Sequence, residues 1–134
     1  FNGDTAAANA LDDYEEGTWT PDVPSGSLTV NKATYVKIGK LVHVYCYIGQ
    51  LNATNDSTVM QITGLPYICE SGQGYHTGSI GYSGSLVTQH WGLIVTTGNT
   101  HIYFHQLNGT GATITRSICS QGDPLLFHAT YHTA

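Results

Sequence analysis

The chain has little charge. Only 10% of its 134 residues are Asp, Glu, Lys or Arg, against about 25% in an ordinary soluble domain. With four cations in the whole sequence, no basic stripe can neutralise a row of phosphates, so nucleic acid is not an expected partner. No run approaches the roughly 20 apolar residues that span a bilayer, which speaks against membrane insertion. The apolar stretch "AAANAL" is too short for a signal peptide and has no basic leader. Cysteine is scarce too. Cys46, Cys69 and Cys119 are odd in number, far apart and without a CxxC, so neither a disulfide scaffold nor a structural zinc knuckle is expected. No GxSxG, HExxH, P-loop or GxGxxG is present, and the chemistry those motifs carry has no foothold.

The charge that is there is uneven. Of nine acidic residues, Asp4, Asp12, Asp13, Glu15, Glu16 and Asp22 fall in the first 22 positions, with no basic residue among them. "GDTAAANALDDYEEG" reads as a short N-terminal helix, capped by Asp4 or Thr5, favoured by its alanines and stopped at Gly17. At about three turns such a helix is marginal alone. A turn and extended segment leading into a strand at "GTWTP" is the competing reading. The carboxylates do not suggest catalysis, because glycosidase acids must face each other across roughly 5 to 9 Å on a rigid scaffold. Nor does "DDYEEG" have the alternating ligand spacing of an EF-hand loop. No catalytic residue, metal or cofactor is assigned, and an enzyme is not expected.

Beyond residue 30 the pattern alternates with period two, as half-buried strands do. "ATYVKI" and "KLVHVYCYIG" make a hairpin through Gly39 and Lys40, the glycine supplying the positive φ of a two-residue turn. Further strands are expected at 58–63, 78–85, 91–97, 101–106, 112–118 and 125–133, separated by turn signals such as "TGN", "NGTG" and "QGDP". Many short strands at this spacing predict an all-β, antiparallel sandwich or barrel. At 134 residues the chain suits a single domain.

On the hairpin, Val42, Val44, Cys46 and Ile48 form one face and Leu41, His43, Tyr45 and Tyr47 the other. Ile102 and Phe104 stand against His101, Tyr103 and His105; Leu125, Phe127, Ala129 and Tyr131 stand against His128, Thr130 and His132. The second faces are too aromatic for plain exposure and too rich in polar tips for a dry core. A wet subunit interface suits them, made of His43, Tyr45, Tyr47, His101, Tyr103, His105, His128 and His132; a plain amphipathic outer face is the alternative. If His43, His105 or His128 is buried neutral there, assembly should weaken below about pH 6. Histidines four apart on a strand stand roughly 13 Å apart and cannot share an ion. One histidine from each of three chains could converge on a threefold axis, an option no residue pattern supports.

Four segments carry a resemblance. "LDDYEEGTWTP" (11–21), "ATYVKIGKLVHV" (33–44), "ITGLPY" (62–67) and "LLFHATYHTA" (125–134) resemble, in order, stretches of the C-terminal domain of tailed-bacteriophage tail fibres and related virion receptor-binding proteins. The stretch 68–124 matches nothing in that pattern. The resemblance implies a jelly-roll sandwich like that of tumour necrosis factor or C1q, assembled as a homotrimer at the tip of a virion fibre that meets the host outside the cell. It makes the acidic run a junction, with residues 1–22 a stalk-to-head connector and 23–134 the head domain. A start at Phe1 with no initiator Met accords with a piece of a longer fibre.

A fibre tip binds a receptor, and loops over a fixed scaffold are where variable recognition resides. In 70–91, Tyr75, His76, Tyr82, His90 and Trp91 stand among Gly-rich turns, a composition suited to stacking on a sugar and reading its hydroxyls. Trp91 could equally begin a strand and fill core. A monomeric or secreted carbohydrate-binding or C1q-like module shares the same composition, and a small polysaccharide hydrolase is the third class.

Overall fold

The structure, a computed structural model, describes residues 13–24, 26–53, 57–72, 74–84, 91–107 and 122–134. Eight strands are present among them: β1 (Tyr14–Thr18), β2 (Gly26–Ile38), β3 (Leu41–Ala53), β4 (Gln61–Ile62), β5 (His76–Ser83), β6 (Trp91–Val95), β7 (Ile102–Gln106) and β8 (Asp123–His132). They form one sheet in the order β1-β2-β3-β8-β5-β6-β7-β4, every neighbouring pair antiparallel. The sheet curls into a half-barrel, and the fold is all-β.

The β2–β3 hairpin is the spine. Ile38 pairs with Leu41 across Gly39, whose φ is 56°, and the register holds back to Gly26 and Ala53. One irregularity interrupts it between Thr29 and Lys32. There the Asn31 side chain lies over Gly49, where a Cβ would come within 2.7 Å of it. Further register shifts fall between Ile48 and Leu51 on β3 and between Ile80 and Tyr82 on β5. Bulges of this kind increase twist and bend the strand that carries them, which is how a single sheet can wrap its own core.

That core is the concave side. Val42, Val44, Cys46 and Ile48 are fully buried, as are Ile102 and Phe104, with Leu125, Phe127, Ala129 and Tyr131 beside them. The alternation in the sequence therefore assigns the two faces of β3, β7 and β8 correctly. Phe104 meets Phe127 edge to face, ring centres 6.1 Å apart, a geometry aromatic pairs favour. Cys46 is a small buried hydrophobe, its thiol pushed up to about 12 by burial.

The helix expected to run to Gly17 is absent from its described part: Tyr14 to Thr18 is strand β1, paired with Thr34 to Ile38 of β2. The extended reading of this segment is the right one. Non-local sheet bonds outweigh a weak local helix preference over so few residues. Gly17 is not a helix stop but the floor beneath Tyr35, whose ring would stand 3.0 Å from a Cβ at that position. Trp19 follows into the core and donates its indole N–H to the Tyr45 carbonyl at 3.2 Å.

The two ends of the strand order are tied together. Asp22, just after β1, and Thr63, just after β4, form an isolated antiparallel bridge with N–H···O bonds of 3.1 and 2.8 Å in the two directions. Beside it Gly64 has φ 86°, and a Cβ there would run into the Thr20 carbonyl. The strand expected at 112–118, Cys119, His90 and residues 1–12 lie outside the described residues.

Candidate interaction face and the seam that supports it

The seam gathers all four segments that carried the resemblance. Glu15 of the acidic run accepts the Lys37 ammonium on one oxygen at 2.7 Å and the Tyr67 hydroxyl on the other at 2.6 Å. Tyr67, from "ITGLPY", stands edge-on to Tyr35 with ring centres 5.5 Å apart, and Lys37 lies 5.5 Å over its ring. Behind it the Tyr131 hydroxyl of β8 donates to the Tyr67 carbonyl at 3.0 Å and accepts from the Tyr67 N–H at 3.3 Å. The Lys37 ammonium, and after it the Tyr67 hydroxyl, hold the Glu15 carboxyl below the usual carboxylate range. The Tyr67 phenol is raised in turn, chiefly by its bond to Glu15. These groups close one end of the half-barrel by hydrogen bonding. Their chemistry is structural, and it accounts for Glu15 as a clasp.

The convex side of the sheet carries the other candidates. Val36, His43, Thr130, Thr77, Ile94 and Tyr103 stand in register from β2 across to β7. In a second row Thr34, Tyr45, His128 and Ser79 do the same. Leu41 at 43% and Tyr47 at 36% exposure extend this surface along β3, and Lys32 borders it, 6.0 Å over the Tyr45 ring. Of the residues expected at an interface, His43, Tyr45, Tyr47, His128 and His132 are thus brought together on β3 and β8. Tyr103 and His105 share the convex side on β7, three strands beyond β8, and His101 stands just before them with its ring edge-on to Tyr103.

Two histidine contacts cross between strands. His43 and His128 have ring centres 5.4 Å apart, and His43 Nδ1 lies 3.0 Å from the Thr130 hydroxyl. His76 and His132 have ring centres 5.3 Å apart. Partial burial, and then the neighbouring imidazole, push His43 and His76 below the ordinary histidine pKa; Glu70 works against the shift at His76. Among the described residues, no group of three or more His, Cys, Asp and Glu is placed to hold a metal ion.

The residues expected to bind a receptor are spread out. Tyr75 and Tyr82 are the most open, at 72% and 56% exposure, but they lie at the two ends of β5, roughly 23 Å apart at the rise of an extended strand. His76 keeps its Nε2 buried with no hydrogen-bond partner. Trp91 starts β6 and packs on the core, 6.2 Å from Phe104 between ring centres. Trp91 also helps line a depression of about 350 Å³ over Gly92, with Thr77, Ser79, Ile94, His105 and Leu107 around it. Sequence reasoning named only Trp91 and His105 of these. The signal it missed is Gly92, second in β6, where the Leu107 side chain lies so close that a Cβ would come within 2.9 Å of it. The chain matches no family model, no curated protein and no solved structure.

Proposed function

We propose that the chain is the tip domain of a tailed-phage fibre, a non-enzymatic homotrimer on the virion that attaches to a saccharide of the host surface. The observation that carries this reading is the convex side of β3 and β8, where Leu41, His43, Tyr45, Tyr47 and His128 adjoin. Aromatic bodies with polar tips and few charges are the composition of a wet but stable subunit contact. The meeting of the four fibre-like segments at one seam supports it as well, since segments far apart in sequence serve one structural purpose. The finer architecture belongs to the same proposal. In it, β1-β2-β3-β8 and β5-β6-β7-β4 are the two layers of a jelly-roll sandwich, and the Asp22–Thr63 bridge between the ends of the order favours that arrangement.

Within this reading the two halves of the convex side divide the work. β3 and β8 meet sister chains, and the depression over Gly92 receives the sugar. Hydroxyls of Thr77 and Ser79 and the ring of His105 supply hydrogen bonds beside the apolar Ile94 and Leu107, the mixture small-molecule sites use.

A second reading has its own observation. The chain ties the two end strands of its sheet, β1 and β4, together within one copy, which favours a monomeric carbohydrate-binding module. Sedimentation equilibrium of the purified chain separates the two: three times the 14.4 kDa chain mass supports the fibre tip, and a stable single-chain mass supports the module.

A further inference from the structure

Chelation along a strand fails on distance, but across β3 and β8 the geometry is different. Tyr45 pairs with His128 and His43 with Thr130, so His43 and His128 are diagonal neighbours on the same side of the sheet. Both are exposed, and their ring centres stand 5.4 Å apart with planes 36° from parallel. Two imidazoles sharing a tetrahedral ion at about 2.0 to 2.1 Å place their ring centres about 5 Å apart. The spacing therefore needs only a rotamer adjustment to close on a metal. His43 Nδ1 faces the Thr130 hydroxyl at 3.0 Å, which leaves Nε2 as the free donor atom and fixes the ring, as second partners of metal-bound histidines do.

We propose that His43 and His128 form a two-histidine site for a borderline divalent transition ion such as Zn2+, Ni2+ or Cu2+, with water in the outward positions. Imidazole nitrogen selects these ions over Mg2+ and Ca2+, which take oxygen. Thr130 is a positioning residue. The neighbouring pair is a built-in contrast: His76 and His132 are as close, but His76 Nε2 is buried and the Glu70 carboxylate beside it is engaged by Lys40 at 3.3 Å. Both histidines belong to one chain; in the proposed trimer their face meets a sister chain, so there the site lies at the subunit contact, and the titration is made on the Leu41→Asp chain as well as on the wild type.

Calorimetric titration of the whole chain with Zn2+, and separately with Mg2+, at about pH 7.5 tests it. The expected result is one saturable Zn2+ site per chain and no Mg2+ binding. His43→Ala and His128→Ala should each weaken Zn2+ at least about tenfold, Thr130→Val about tenfold with stoichiometry kept, and His132→Ala not at all. Circular dichroism of each variant, three of them at exposed histidines and one at half-buried Thr130, verifies that the fold is intact. No saturable Zn2+ heat, or a site that survives the His43→Ala, His128→Ala double variant, would overturn the proposal. Loss on His132→Ala alone would overturn it too.

Discussion

The Tyr67 hydroxyl donates a 2.6 Å hydrogen bond to the Glu15 carboxylate, joining two residues 52 positions apart in the chain. An acid in an exposed strand would otherwise favour solvent. Here it is the point where the first strand, the hairpin and the loop after β4 are clasped. The folded carboxyl titrates below its unfolded value, so its contribution is complete above the unfolded pKa of about 4.3 and is lost as pH falls through the folded one. Melting curves between about pH 6 and 3 should show the wild type losing stability more steeply than Glu15→Gln over the acid half of that range. Equal slopes would remove the clasp from the account.

Tyr131 offers a cleaner test of the same seam, because it is buried and its hydroxyl both donates to and accepts from the Tyr67 backbone. Tyr131→Phe keeps the ring and strands the Tyr67 N–H and carbonyl. Urea denaturation should show a loss of about 1 to 3 kcal/mol.

Two glycines with positive φ should respond differently to the same change. At Gly39 a Cβ meets nothing within 4 Å, so Gly39→Ala carries only the left-handed backbone cost of about 1 kcal/mol. At Gly64 the Cβ meets the Thr20 carbonyl beside the Asp22–Thr63 bridge, and Gly64→Ala should cost about 3 kcal/mol or more. Denaturant midpoints of the two variants, measured side by side, decide whether the seam is as tight as described.

If the depression over Gly92 receives a sugar, Ser79→Val and His105→Ala should each reduce binding on a host-glycan array by about tenfold, the value of one or two polar contacts. Thermal stability should change little, since Ser79 is exposed and His105 half-buried. Unchanged glycan binding in both would move the receptor site elsewhere.

How much of this the sequence carried depended on the range of the interactions. The β2–β3 hairpin was legible because alternation and the Gly39 turn are local signals, and the buried residues of β7 and β8 followed from the same alternation. β1 was harder. Its residues "YEEGT" have low strand propensity apart from Tyr14 and Thr18, and what makes them a strand is Lys37, Tyr35 and Tyr67, distant in sequence. The histidine pairs were invisible for a similar reason: the i, i+4 spacing can be counted, whereas the diagonal of His43 and His128 depends on the register of β3 against β8. Tyr75, Tyr82 and Trp91 share a segment yet not a site, because a strand separates the two tyrosines and the indole turns to the core.

The proposal of a fibre tip turns on whether the convex side of β3 and β8 meets copies of itself. Sedimentation equilibrium of the wild-type chain and of Leu41→Asp, at about 10 to 100 μM, above the micromolar Kd that corresponds to about 8 kcal/mol, addresses that directly. A fibre tip gives a trimer for the wild type and a folded single chain for Leu41→Asp, its circular dichroism unchanged and its melting temperature lowered by the loss of assembly. A wild-type chain that sediments as one 14.4 kDa particle across that range would contradict it.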